Sequence, residues 1–89
     1  MAKSFTFTVI DPVGLHARPA TVLVSAAGKC ASNITLNYNG KSTNAKSIMG
    51  VMAMGVPSKA TVEVVAEGAD EDTAIAAIEA TLKQQKVCE

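Results

Sequence analysis

Apolar and polar residues alternate in three stretches of the chain, at the period of a β-strand with one buried face. The stretches are residues 3–10, 33–38 and 61–67. The dipeptide Asn39-Gly40 follows the second stretch and is a strong signal for a two-residue hairpin. Residues 41–44 are therefore expected to return as a short strand paired with residues 33–38.

Three other stretches carry helical spacing. Residues 17–27 form an apolar stripe that stops at Gly28, and residues 48–54 form a short apolar helix that starts after an N-cap at Ser47. The third helix is expected to be capped by Asp70, with acidic residues in its first turn and lysines in its last turns, an order that suits the helix dipole. The predicted inward positions are Ala20, Leu23, Val24 and Ala27 in the first helix and Ile75, Ile78 and Leu82 in the third.

The predicted element order is β-α-β-β-α-β-α. Strands that are apolar on one face only fit an antiparallel sheet that is covered by helices on one side. We therefore expect an α+β fold, an open-faced β-sandwich in which three helices cover one face of a four-stranded antiparallel sheet. A length of 89 residues suits a single domain over residues 1–89.

Composition narrows the class of function. The charges of eight basic and eight acidic residues cancel, so the net charge does not favour non-specific binding to nucleic acid or to an anionic membrane. Cys30 and Cys88 make no metal-type pair. No apolar stretch is long enough to span a bilayer, and no leader-like segment begins the chain. We expect a reduced, cytoplasmic protein without cofactor or metal.

The only histidine of the chain, His16, precedes a predicted helix start. Proline is tolerated in a first turn, so Pro19 puts His16 near the N-cap and Ala17 and Arg18 in that turn. Free N–H groups, the positive end of the dipole and the Arg18 guanidinium would then favour an anion and a neutral, nucleophilic imidazole. This arrangement fits a histidine that carries a phosphoryl group. An ordinary surface or capping histidine remains the alternative.

Two stretches closely resemble a known family. Residues 14–20, GLHARPA, resemble the active-site signature of the HPr family, the phosphocarriers of the bacterial phosphoenolpyruvate–sugar phosphotransferase system. Residues 46–52, KSIMGVM, resemble the regulatory-serine segment of that family in the form typical of Gram-positive relatives. Length and element order agree along the whole chain.

The resemblance implies that His16 is phosphorylated on Nδ1 by enzyme I and passes the group to a histidine of sugar-specific enzyme IIA components. The phosphoryl oxygens would contact the N–H groups of Ala17 and Arg18 and the Arg18 guanidinium. Ser47 corresponds to the second phosphorylation site, used by an HPr kinase/phosphorylase, and its phosphorylated form would bind a catabolite-control repressor. We also expect a monomer that forms transient complexes. The docking surface for its partners is expected at Ala20, Thr21, Ile48, Met49 and Met52.

Two observations qualify these expectations. Val13 stands where many relatives have a small polar residue, so a side-chain contact to phosphate is not expected there. The methionines of residues 48–54 fit an adaptable docking surface and the filling of a core poor in aromatics equally well.

Other classes of function are weighed against the carrier. A regulatory module could use Ser47 without passing phosphate, although it would not need His16 with Arg18. A metal site would need paired ligands, and RNA binding by the sheet would need exposed aromatics and a basic patch. A hydrolase would need a base beside a nucleophile. The sequence contains no paired metal ligands, no combination of aromatics and a basic patch typical of an RNA-binding sheet, and no base–nucleophile pair around His16.

Overall fold

The computed structural model describes residues 2–15 and 17–87, and within them it shows four strands and three helices in the predicted order. The strands are β1 (Lys3–Thr8), β2 (Asn33–Tyr38), β3 (Lys41–Asn44) and β4 (Thr61–Glu67). The helices are α1 (Ala17–Gly28), α2 (Ile48–Ala53) and α3 (Glu71–Gln84). The sheet is antiparallel with the order β1-β4-β2-β3. The predicted open-faced α+β class is confirmed.

The core lies between the sheet and the helices and is mainly aliphatic. Alternate side chains of the strands point into it, and the inward stripes of α1 and α3 close it. Its fully buried members include Val9, Leu23, Ile34, Leu36, Val62, Val64, Ile78 and Leu82. The period of two in the strands and the helical stripes thus meet in one contiguous cluster.

The strand bounds match the predicted alternation except in β1, which ends at Thr8 rather than at Ile10. The ladder between β1 and β4 ends at the pair Thr8–Thr61. The segment that precedes β4 is not extended there, since Lys59 has a left-handed φ of 70°. Val9 still donates to the Ala60 carbonyl at 2.9 Å and accepts from Lys59 N–H at 2.8 Å. These two bonds join Val9 to the loop that precedes β4, but they do not extend the strand pairing.

The predicted hairpin is confirmed by its backbone. Asn39 and Gly40 have φ values of 52° and 79°, and both are positive as a type I′ turn requires. The short helix α2 ends at Ala53, with Met54 as its C-cap.

Asp70 occupies the predicted N-cap position of α3 but makes no side-chain capping bond there. Its carboxylate instead accepts from the N–H groups of Ala31 and Ser32, both at 2.9 Å, and from Ser32 Oγ. Ser32 is buried, so its polar groups need a partner. The prediction of a capping role for this side chain is therefore wrong: Asp70 ties α3 to the loop that precedes β2.

Replacing Asp70 by Asn should lower stability near neutral pH and remove part of its acid dependence. Hydrogen bonds from Ser32 Oγ and the Ala31 N–H hold the pKa of the Asp70 carboxyl below its ordinary value. Such a group stabilises the fold above its unfolded pKa, about 4, and loses that contribution as pH falls through the folded pKa. In urea unfolding, wild type and Asp70→Asn should differ most at about pH 7, and the difference should shrink as the pH falls below about 4.

Asp72→Asn is the matched control. Asp72 is exposed and pairs with Lys3 at 3.6 Å on the surface, so its loss should matter little. A gap between wild type and Asp70→Asn that stays constant with pH would contradict the assignment of the carboxylate.

Candidate functional site

The loop from β1 to α1 folds on itself through Asp11. The Asp11 carbonyl accepts from Gly14 N–H at 2.9 Å, and Asp11 Oδ1 accepts from Val13 N–H at 3.0 Å. The second bond is an Asx turn, in which a carboxylate replaces a backbone acceptor. Val13 itself points outward with 71% of its surface exposed. The turn is thus shaped by Asp11 and not by the side chain at position 13.

Gly14 allows the loop to lie directly on the segment that follows α2. Its φ is +91°, and a Cβ at this position would lie 2.5 Å from the Val56 carbonyl oxygen and 2.9 Å from Pro57. The next residue, Leu15, donates its N–H to the same Val56 carbonyl at 2.9 Å and is buried. Only glycine fits this close approach.

Helix α1 begins at Ala17, as predicted, and its first turn is open to solvent. Ala17 and Arg18 are exposed, while Pro19 is buried against the core. The first N–H groups of a helix have no intrahelical partner, so Pro19 loses nothing there and Ala17 and Arg18 can offer theirs to an anion. His16, the predicted phosphoryl acceptor, lies outside the described residues.

The Arg18 side of this turn borders a small cleft of about 130 Å³. Its walls come from the loop, from α1 and from the end of α3. They are formed by Asp11, Arg18, Pro19, Val22, Gln85 and Val87. The C-terminal segment therefore faces the same turn that carries Arg18.

Ser47 is the N-cap of α2, as predicted. Its Oγ accepts from Gly50 N–H at 3.2 Å, and its carbonyl accepts from Val51 N–H at 3.0 Å. Glycine inside a helix costs about 1 kcal/mol relative to alanine. The structure gives Gly50 a packing reason, because a Cβ there would collide with Thr43 Oγ1 on β3. Helix α2 is thus seated closely on the sheet edge.

One face of α2 presents apolar side chains to solvent. The exposed fractions are 37% for Ile48, 81% for Met49 and 46% for Met52, whereas Val51 is buried. We call the three exposed residues the α2 patch. The methionines of this segment fitted either a docking surface or the filling of the core. The exposure of Met49 and Met52 shows that these two do not mainly fill the core.

The two α1 residues expected at the docking surface differ. Ala20 has no exposed surface and packs in the core, so its side chain is not available to a partner, and that assignment is wrong. The apolar stripe of the first helix correctly predicted that Ala20 is buried. Thr21 is exposed, and its Oγ1 donates to the Ala17 carbonyl at 2.6 Å.

Two features near the site were not predicted from the sequence. Lys46, beside Ser47, extends its Nζ to the Cys30 carbonyl at 2.8 Å, and Val87 closes the cleft beside Arg18. The first contact has no local signal in the sequence. An apolar residue directly after the charged end of α3 is the signal that could have pointed to Val87.

Within the described residues no group of three or more His, Cys, Asp or Glu side chains is placed to hold a metal ion. Helix length and hydropathy in that part of the chain also give no candidate for a span across a bilayer.

Comparisons with known proteins show which family and which solved structures the chain is similar to. The family model for the PTS HPr component phosphorylation site matches residues 3–84. The histidine-containing phosphocarrier protein of Mycoplasma is 44% identical, with a TM-score of 0.94 over 98% of this chain and 99% of that one. HPr from Thermoanaerobacter tengcongensis is 42% identical, with a TM-score of 0.87 over 96% and 94%. Bacillus subtilis Crh, a catabolite repression protein seen as a swapped dimer, is 38% identical, with a TM-score of 0.72 over 89% and 90%.

Gly14→Ala should destabilise the fold, because the new Cβ meets the Val56 carbonyl at a positive φ. Backbone strain alone costs about 1–3 kcal/mol, and the collision adds to it. The free energy of unfolding in urea measures the loss. Gly28→Ala is the matched control, since nothing lies within 4 Å of its Cβ position. Equal effects of the two substitutions would contradict the close approach at Gly14.

Proposed function

We propose that this chain, which belongs to the HPr family of phosphocarrier proteins of the phosphotransferase system, accepts a phosphoryl group on His16 from phosphorylated enzyme I. It then passes the group to a histidine of sugar-specific enzyme IIA components and works as a single domain in the cytoplasm. The observation that carries the proposal is the exposed first turn of α1, which starts directly after His16.

The chemistry of the first turn suits a phosphohistidine. The N–H groups of Ala17 and Arg18 and the positive end of α1 favour the phosphoryl oxygens, and Arg18 adds a fixed positive charge. Phosphoryl transfer needs positioning and charge stabilisation more than covalent machinery from the carrier. Because Ala17 and Arg18 are exposed, these contacts are solvated and moderate, as a relay requires.

The α2 patch and Thr21 are proposed to dock the partners of the relay. Three apolar side chains exposed together on so small a protein are typical of a binding surface. Methionine adapts to partners of different shape, and the carrier must meet both enzyme I and the IIA components. We propose transient complexes of a monomer.

Ser47 is proposed as the regulatory site, modified by an HPr kinase/phosphorylase. A phosphate there adds a charge of roughly −1.5 to −2 near pH 7, at a helix start whose dipole accepts it. Helix α2 should therefore stay formed while negative charge lies beside the α2 patch. This charge should weaken docking to enzyme I. Binding of the phosphorylated form to a catabolite-control repressor is proposed by analogy with the family. The similarity to Crh, a catabolite repression protein, supports this second role.

His16→Ala should abolish phosphorylation of the chain. Incubation with phosphoenolpyruvate and catalytic enzyme I should add the mass of one acid-labile phosphoryl group to the wild type and nothing to the variant. Circular dichroism and urea unfolding check that both chains are folded. A folded wild-type chain that stays unmodified would reject the carrier role and leave a regulator that uses Ser47.

Ser47→Asp should slow phosphorylation of His16 and leave the fold intact. Negative charge beside an apolar docking face opposes association, and we expect roughly a tenfold fall in kcat/KM with enzyme I. Ser4→Asp is the matched control and should keep the wild-type rate, because Ser4 is exposed on β1, at the opposite edge of the sheet from β3, on which α2 packs. Rates that are equal in Ser47→Asp and wild type would refute regulation through this site.

A further inference from the structure

The end of α3 turns the chain back towards the site. Lys86 has a left-handed φ of 61°, although it is not glycine. Its N–H donates to the Lys83 carbonyl at 3.1 Å, and Val87 N–H donates to the Leu82 carbonyl at 2.9 Å. Paired bonds of this kind around a left-handed residue form a Schellman ending. The ending directs Val87 inward.

Val87 joins the core and also the loop that leads to α1. Its side chain is 2% exposed, and its carbonyl accepts from Ile10 N–H at 3.0 Å. Ile10 is the first residue past the bonds of Val9 with the neighbouring loop. Val87 therefore holds the loop where it leaves the sheet, and Val56 holds it again at Leu15.

Val87 also limits the space beside Arg18. It lines the same cleft as Arg18 and Pro19. Without Val87 the loop would lose its backbone acceptor at Ile10 and the cleft would lose one side. Both changes act on the two segments that lead into and out of position 16, while the α2 patch is built from a different element.

We infer that Val87 is a positioning residue for phosphoryl transfer, acting through the Ile10 bond and the cleft wall; this rests on the proposed function. It touches no reacting atom. Its loss should lower kcat for transfer from enzyme I and leave KM nearly unchanged, because docking through the α2 patch persists. Small displacements of a reacting group are costly in rate, and we expect about a tenfold fall in kcat.

The first test compares two shortened chains. The chain that ends at Lys86 lacks Val87, whereas the chain that ends at Val87 keeps an oxygen acceptor for Ile10 N–H. We expect slower transfer and faster amide exchange at Ile10 and Leu15 only in the first. Equal transfer in both shortened chains and the wild type would overturn the inference. A loss shared by both would assign the effect to residues 88–89 and would overturn it too.

The second test separates positioning from general stability and serves if the shorter chain fails to fold. Val87→Ala and Val64→Ala remove the same atoms from buried sites, and Val64 lies in the middle of β4, paired with Phe5 and Leu36. Both should lower the urea midpoint, but only Val87→Ala should lower kcat. This variant keeps the carbonyl that accepts from Ile10 N–H but removes the side chain that anchors that carbonyl in the core and lines the cleft. Equal kcat in the two variants would make Val87 a merely structural residue.

These outcomes separate the inference from the proposed function. If the wild type accepts a phosphoryl group and Val87→Ala transfers as well as Val64→Ala, the carrier role stands and the inference falls. If the wild type accepts no phosphoryl group, the carrier role itself falls, and the inference with it.

Discussion

The close approach of Gly14 to the segment after α2 is the constraint on which the site depends. The Val56 carbonyl oxygen would lie 2.5 Å from a Cβ at position 14 and accepts from Leu15 N–H at 2.9 Å. This contact fixes where the chain enters α1, and therefore where the free N–H groups of its first turn point. Val56 lies in the segment that follows α2, the helix that Ser47 caps. The loop before α1 and helix α2 are therefore connected through this one contact.

The proposed phosphoryl site and the α2 patch of the proposed docking surface lie on different helices. The first turn of α1 offers polar groups and the Arg18 charge, whereas the α2 patch offers apolar surface. An anion at Ser47 would lie beside the proposed docking surface, at the start of a different helix from α1. Under the proposed function, the carrier would thus be regulated without a change in the groups proposed to contact its phosphate.

Local signals in the sequence predicted most of the fold. Alternation predicted the bounds of β2 and β4, and Asn39-Gly40 predicted the hairpin and the return strand β3, because side-chain period and turn chemistry are local properties. The contact of Gly14 with Val56 joins distant parts of the chain and could not be predicted from local signals.

Two errors come from contacts between distant parts of the chain. Asp70 was expected to cap its own helix, yet its carboxylate accepts from Ala31 and Ser32, far away in sequence. The end of β1 depends on the turn at Lys59, and the contact of Val87 with Ile10, which was not predicted, is also long-range. Ala20 was assigned to the docking surface through the family resemblance, although its own helical position placed it in the core.

Onward transfer tests the central claim most directly. The phosphorylated chain, freed of enzyme I and phosphoenolpyruvate, is mixed with an enzyme IIA component, and the phosphoryl content of both proteins and of the solution is followed by intact mass and phosphate assay. The account predicts that the group leaves this chain and appears on the acceptor in equal amount. Release as inorganic phosphate with an unmodified acceptor would contradict it.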